Sequence, residues 1–275
     1  MDKKPTQYKP DDFYRARKNN HDNKIALGFI FRANPYALKE MHPVYRQAYE
    51  KAVDLVQFSR INMLDFNYAD LAQDVDLVKK RIEGLASLSK NQAEENHGVE
   101  SAVLEAMLYD LIKNKQWFGR DTLAVLPSVY DDLERGTDLI LEHLSGDHKS
   151  YSGIGIDITT GDVAIQKKFE ETLNRLKRKG LDSVKYFKSP DGNYKGELNN
   201  IPHLILGFDR ETLFKVTQDW VNPNPNFKSM PYRKGLLDLL IFQCDAFSNA
   251  TTNPEVISAY QREKRILENI LKTLK

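Results

Sequence analysis

The chain has 275 residues, 41% hydrophobic and 29% charged, a balance that suits one large domain or a core with helical additions and excludes wholesale disorder. Its 40 Lys and Arg against 39 Asp and Glu leave a formal charge of +1, so affinity for nucleic acid has to come from a local patch. The single cysteine, Cys244, excludes an internal disulfide, no run of 18 apolar residues offers a spanning helix, and the polar start carries no export signal, so a cytoplasmic, non-membrane protein is expected.

In chain order, residues 1–24 read as a polar, basic arm, with Lys3, Lys4, Lys9, Arg15, Arg17 and Lys18 among prolines and asparagines. Residues 25–96 form an N-terminal helical region. It opens on the apolar run IALGFIF at 25–31, and helical spacing of apolar residues predicts helices over Val44–Phe58 and Tyr68–Leu85. A third helix is predicted over 97–119, followed by a brief strand in LAVLP that Pro127 ends. Two apolar runs with one aspartate each come next, TDLILEH around Asp138 and GIGIDIT around Asp157, and both read as strands. The helix after them has Asp162 as its expected N-cap, a basic last turn and Gly180 beyond its end. Strands follow at 183–187 and 201–209 with a loop between them, closing a core of residues 97–220. In the C-terminal helical region, 221–275, a helix near 233–247 precedes a long amphipathic pattern. Tyr260, Leu267 and Leu274 fall seven apart there, a face for the core or for a protein partner such as a second subunit.

The predicted class is therefore α/β, with a mixed central sheet of about five strands in the order helix, strand, strand, strand, helix, strand, and helical additions at both ends. An aspartate among β-type apolar residues is costly to bury uncompensated, so Asp138 and Asp157 are either a metal site or two strand ends reaching water. About 100° per residue places Glu100 within about 10° of the centre of the stripe Val103, Leu104, Met107, Leu108 and Leu111, and Glu105 about 130° away, facing water. By the same geometry Asp110 is on the flank. On the following helix, Lys168 falls about 90° from the centre of the buried face, Lys167 about 170° away, and Gln166 on the opposite flank.

With Asp138, Asp157 in IDIT, and Glu100 in HGVE, this order of elements resembles the PD-(D/E)xK nuclease superfamily over roughly residues 97–210. The resemblance implies a nuclease that hydrolyses phosphodiester bonds of nucleic acid. Asp138, Asp157 and Glu100 would hold Mg²⁺ or Mn²⁺, a hard cation content with a few carboxylates and several waters. Thr159 stands where the family has lysine and supplies no positive charge. Members are known in which the lysine has moved to the next helix, where Lys168 is the residue able to reach the sheet end. Glu142, two by two along the strand from Asp138, is the reserve ligand; Thr159 and Gln166 are auxiliary candidates.

The alternative from a different class is an inactive nuclease-like module that binds nucleic acid or a protein partner. A third is an assembly protein joined through its terminal helices. Asp131 and Asp132 read as turn or cap residues, His97 as a helix-start residue, and His143, Asp147 and His148 as solvated turn residues. The run Arg175, Lys177, Arg178, Lys179 suits the negative end of a helix and is also a candidate for backbone phosphates. No phosphate-binding glycine loop follows a strand and no serine-hydrolase elbow occurs, while Cys244 reads as a buried structural thiol.

Overall fold

A computed structural model describes residues 35–87, 92–144 and 151–274. The basic arm, the run at 25–31, and Asp147 and His148 lie outside the described residues.

Two short-range features set the first helices. Pro43 at the first position and the His42 side chain, accepting from Val44 N, start α2 (Pro43–Ser59) after the short α1 (Pro35–Glu40). Asn62 then caps a 3₁₀ turn (Met63–Asp65) before α3 (Leu71–Ser87). The next helix, α4 (Gln92–Lys113), is buried on every side from Ala102 to Ile112, as befits a helix lying between the sheet and other helices. Strand β1 (Thr122–Val125) leads into α5 (Val129–Arg135), capped by Ser128 and ended by Gly136 at φ 67°.

The sheet has four strands, in the order β1, β2 (Leu139–Leu144), β3 (Tyr151–Thr160) and β6 (His203–Phe208); the first three are antiparallel and β3 runs parallel to β6. The crossover is α6 (Asp162–Lys179) followed by a separate hairpin, β4 (Asp182–Lys188) with β5 (Lys195–Ile201). The predicted five-strand sheet is thus four strands plus a hairpin, and β5 falls in the stretch expected as a loop. N-cap geometry at α6 belongs to Gly161 rather than Asp162, while Gly180, at φ 81°, ends the helix as expected.

One face of the sheet carries Leu139, Leu141, Ile154, Ile156, Leu204 and Leu206 against α4. The other carries Ile140 and the two glycines of GIGI, and it receives α6 and the hairpin. Those glycines have a packing role: a Cβ on Gly153 would touch Leu198, and one on Gly155 would stand 3.2 Å from His203 Nδ1. Gly207 is tighter still, because a Cβ there would lie 2.5 Å from the Thr159 carbonyl and 3.0 Å from Ile165 of α6.

Helix α7 (Arg210–Val221), absent from the predicted elements although Leu213, Val216 and Trp220 fall at helical spacing, packs on α2 and α4. Helices α8 (Met230–Asn249) and α9 (Pro254–Thr273) close the outer edge of β6. Gln243 makes a two-way amide pair with Ile205 (2.7 and 2.8 Å), and the Tyr260 hydroxyl donates to His203 O at 3.1 Å and accepts from its N–H at 3.2 Å. An open strand edge is thereby blocked. The heptad-spaced face of α9 is occupied within the chain, with Tyr260 and Leu267 buried.

Asp131, expected as a turn or cap residue, stands in the capped first turn of α5 and is fully buried. It accepts from Ser128 Oγ (2.7 Å), Lys185 N (2.7 Å) and Tyr186 N (3.0 Å), fastening α5 to β4. Asp131→Ala is expected to cost about 3 kcal/mol or more, since two strand N–H groups lose a charged acceptor in a dry setting. Urea denaturation checks this; a cost under about 1 kcal/mol would mean water replaces the carboxylate.

Candidate functional site: an aspartate pair under a helix lysine

Strand pairing brings the two aspartates together. The β2–β3 pairing ends with Leu139 opposite Ile156, and Asp138, the residue just before it, lies close enough to Asp157 for the two charges to act on each other. Asp138 N donates to Ile156 O at 2.8 Å, and Ile158 N donates to Asp138 Oδ2 at 2.6 Å. Like charges in this arrangement repel. Burial first, and then the Asp157 charge, hold the Asp138 carboxyl well above the ordinary aspartate range.

Lys168 answers that charge. From the second turn of α6 its ammonium donates to Asp157 Oδ1 and, at 3.3 Å, to Ile158 O. Burial pulls the amine down, but Asp157 and Asp138 outweigh it and keep Lys168 above the usual lysine value. Lys167 points away, 75% exposed and 3.8 Å from Glu171, as the helix angle required.

Behind the pair lies a network that sequence reasoning missed. Arg60, 7% exposed at the end of α2, donates to Glu105 Oε1 at 2.6 Å and Asp132 Oδ2 at 2.7 Å. Burial opposes the Arg60 charge, but Glu105, Asp132 and Asp138 more than restore it. Burial, aided by Asp132 and opposed by Arg60, lifts the Glu105 carboxyl to about 8. Glu105, expected to face water, is 6% exposed. It is the glutamate of α4 whose charge bears on Asp138.

Glu100 lies elsewhere. Its carboxylate is 3.6 Å from Arg210 Nε and acts on the Tyr45 phenol, so it is not brought to the aspartates. Glu142 does share the Asp138 face, but four residues at about 3.3 Å put it roughly 13 Å along the strand. There it accepts from Ser189 Oγ at 2.7 Å. Gln166 donates to Glu170 on the exposed side of α6 at 3.2 Å. Thr159 is buried, two residues beyond Asp157 on the same face of β3.

His97 is exposed, with Nδ1 3.1 Å from Thr160 Oγ1. His143, expected in a solvated turn, is instead buried within β2, where desolvation lowers its imidazole to about 4. Asp110, on the flank of α4, accepts from Trp220 Nε1 at 2.7 Å.

Two carboxylates and an ammonium meet at one point, backed by two more carboxylates and a guanidinium. Among the described residues no group of three or more His, Cys, Asp or Glu side chains converges as a metal cluster. The donor set fits a hard cation that keeps most of its waters and takes one or two carboxylates from the protein. Among the described residues, no helix is long and apolar enough to cross a membrane. No protein-family model, curated protein or solved structure matches the chain.

Proposed function

We propose that the chain is a metal-dependent nuclease, similar in plan to the PD-(D/E)xK enzymes, with Asp138 and Asp157 holding Mg²⁺ or Mn²⁺ and Lys168 serving in place of a lysine at Thr159. The observation that supports it best is the Lys168 ammonium seated on Asp157, directly beside Asp138, at the end of β3. A bound cation there would polarise a phosphoryl oxygen and lower the pKa of a water. The chain's own part is positional. Lys168 exchanges its bond to Asp157 for one to the attacking water or a phosphoryl oxygen, and it stabilises charge as the water oxygen, giving its proton to bulk water, bonds to phosphorus and the sugar oxygen leaves and takes a proton from bulk water. Arg60, through Glu105 and Asp132, sets the field around Asp138 without touching substrate.

The same contact favours a second reading, an inert module in which Lys168 has taken the cation's place. Cleavage of single- and double-stranded DNA and RNA with Mg²⁺, Mn²⁺ or EDTA separates the two. The nuclease cuts at least one substrate, only with metal. It should also melt higher in metal, since a ligand at a hundredfold over Kd adds about 2.7 kcal/mol. That corresponds to roughly 5 °C or more at this chain length. A chain that cuts nothing and gains no stability from either metal is the inert module.

A further inference from the structure

Helix α6 carries more than Lys168 toward the sheet. Lys168, Thr172, Arg175 and Lys179 follow each other at steps of four, three and four, one stripe about 16 Å long at 1.5 Å per residue. At its far end Arg175 Nη2 meets Asp182 Oδ2 at 3.0 Å, while Arg135 of α5 and Lys179 act on the same carboxylate. Three cations thus surround one aspartate. Lys177, part of the same basic run in sequence, falls off this stripe and does not act on Asp182; it is exposed, as is Lys179 at the stripe's end.

Between this cluster and the aspartate pair the sheet has a polar floor with unmet hydrogen bonds. His203, 2% exposed, faces Asp182 with Nδ1 3.2 Å from its Oδ2, and its Nε2 is without a hydrogen bond. The Thr137 hydroxyl, in a residue 1% exposed, is also unpartnered. Both stand over Gly155, where an added Cβ would lie 3.2 Å from His203 Nδ1 and 3.6 Å from Thr137 Cγ2. Gly155 is two residues before Asp157 on the same face, or about 7 Å. Three cations against the one carboxylate of Asp182 leave an excess of positive charge above this buried floor, and such an excess selects an oxyanion.

We infer that Arg135, Arg175 and Lys179, over the floor of Thr137 and His203, form a subsite for a backbone phosphate of the nucleic-acid strand, next to the phosphate held at Asp138 and Asp157. The inference rests on the nuclease reading for its substrate class. It also answers the near-neutral charge of the chain: four cations along α6 and α5, set against Asp157 and Asp182, leave a local positive excess that the whole molecule lacks.

The test is binding of a fluorescein-labelled 20-nucleotide single strand and the matching duplex, as DNA and RNA, in EDTA over a range of KCl. Arg135→Gln and Arg175→Gln should each weaken binding several-fold and lower the slope of log K against log salt by about one. Arg175→Lys should restore the slope, which separates lost charge from a damaged fold. Lys177→Gln is the matched control and should change affinity by less than half as much. If Arg135→Gln and Arg175→Gln bind as the wild type does, or Lys177→Gln loses as much as they do, the subsite is wrong even where the chain cleaves. If no nucleic acid binds at low salt, the subsite falls with its substrate class. A chain that never cleaves but loses binding in both variants keeps the subsite and loses only the catalysis.

Discussion

Asp157→Asn and Lys168→Met are expected to slow cleavage by about 10²–10³-fold for different reasons, and metal binding tells them apart. The amide of Asp157→Asn would keep the shape of the strand end but halve the carboxylate pair. Losing the cation forfeits several kcal/mol of transition-state stabilisation, and at about 1.4 kcal/mol per tenfold that is on the order of 10³ in rate. The Mg²⁺-dependent rise in melting temperature should vanish with it. Lys168→Met leaves both carboxylates and removes the cation that competes for Asp157. It should therefore bind Mg²⁺ more tightly than the wild type, with a larger thermal shift, while cutting about 10²–10³-fold more slowly for want of the stabilising donor. Single-turnover cleavage at saturating metal, beside melting curves across Mg²⁺ concentrations, measures both. If Lys168→Met cuts at the wild-type rate, Lys168 is a counter-ion and nothing more.

The lysine was legible in the sequence because its helix is amphipathic. With one buried face, an angle of about 100° per residue distinguishes Lys168 from Lys167. The same arithmetic failed on α4, which is buried on all sides. A stripe has no meaning there, so Glu100 was drawn to a site it does not join and Glu105 was sent to water. The hydrogen-bond partner of Glu105 is Arg60, 45 residues earlier, and a pair across that separation leaves no local periodic signal. Period two placed Glu142 on the correct face and could not place it along the strand. The hairpin strand β5, KGELNNI, has one central apolar residue to mark it, and so it passed for a loop. The strand aspartates were visible because charge inside an apolar run is an anomaly at any distance.

Arg60→Ala should be the most destabilising single change in the molecule. It strands Glu105 and Asp132, and breaking a buried pair by removing one partner costs about 3–5 kcal/mol, or roughly 5–9 °C in melting temperature. Replacing all three together, Arg60→Met with Glu105→Gln and Asp132→Asn, should recover most of that loss, since no buried charge is left unmatched. A triple variant as unstable as Arg60→Ala would show that the guanidinium matters for packing rather than charge. The network also predicts a pH slope. Glu105 has its folded carboxyl raised to about 8, so the folded chain holds a proton that the unfolded chain gives up at an ordinary glutamate pKa. The stability this contributes is complete below that ordinary value and declines as pH rises through about 8. Urea midpoints of the wild type should therefore be lower at pH 9 than at pH 6. Glu105→Gln should flatten its share of the slope and leave the part belonging to Asp138, whose carboxyl is raised in the same direction. Arg60→Ala should steepen the slope, because Arg60 is what pulls the Glu105 carboxyl down. Equal slopes in all three chains would mean that the charge of Glu105 is met by water instead of by Arg60.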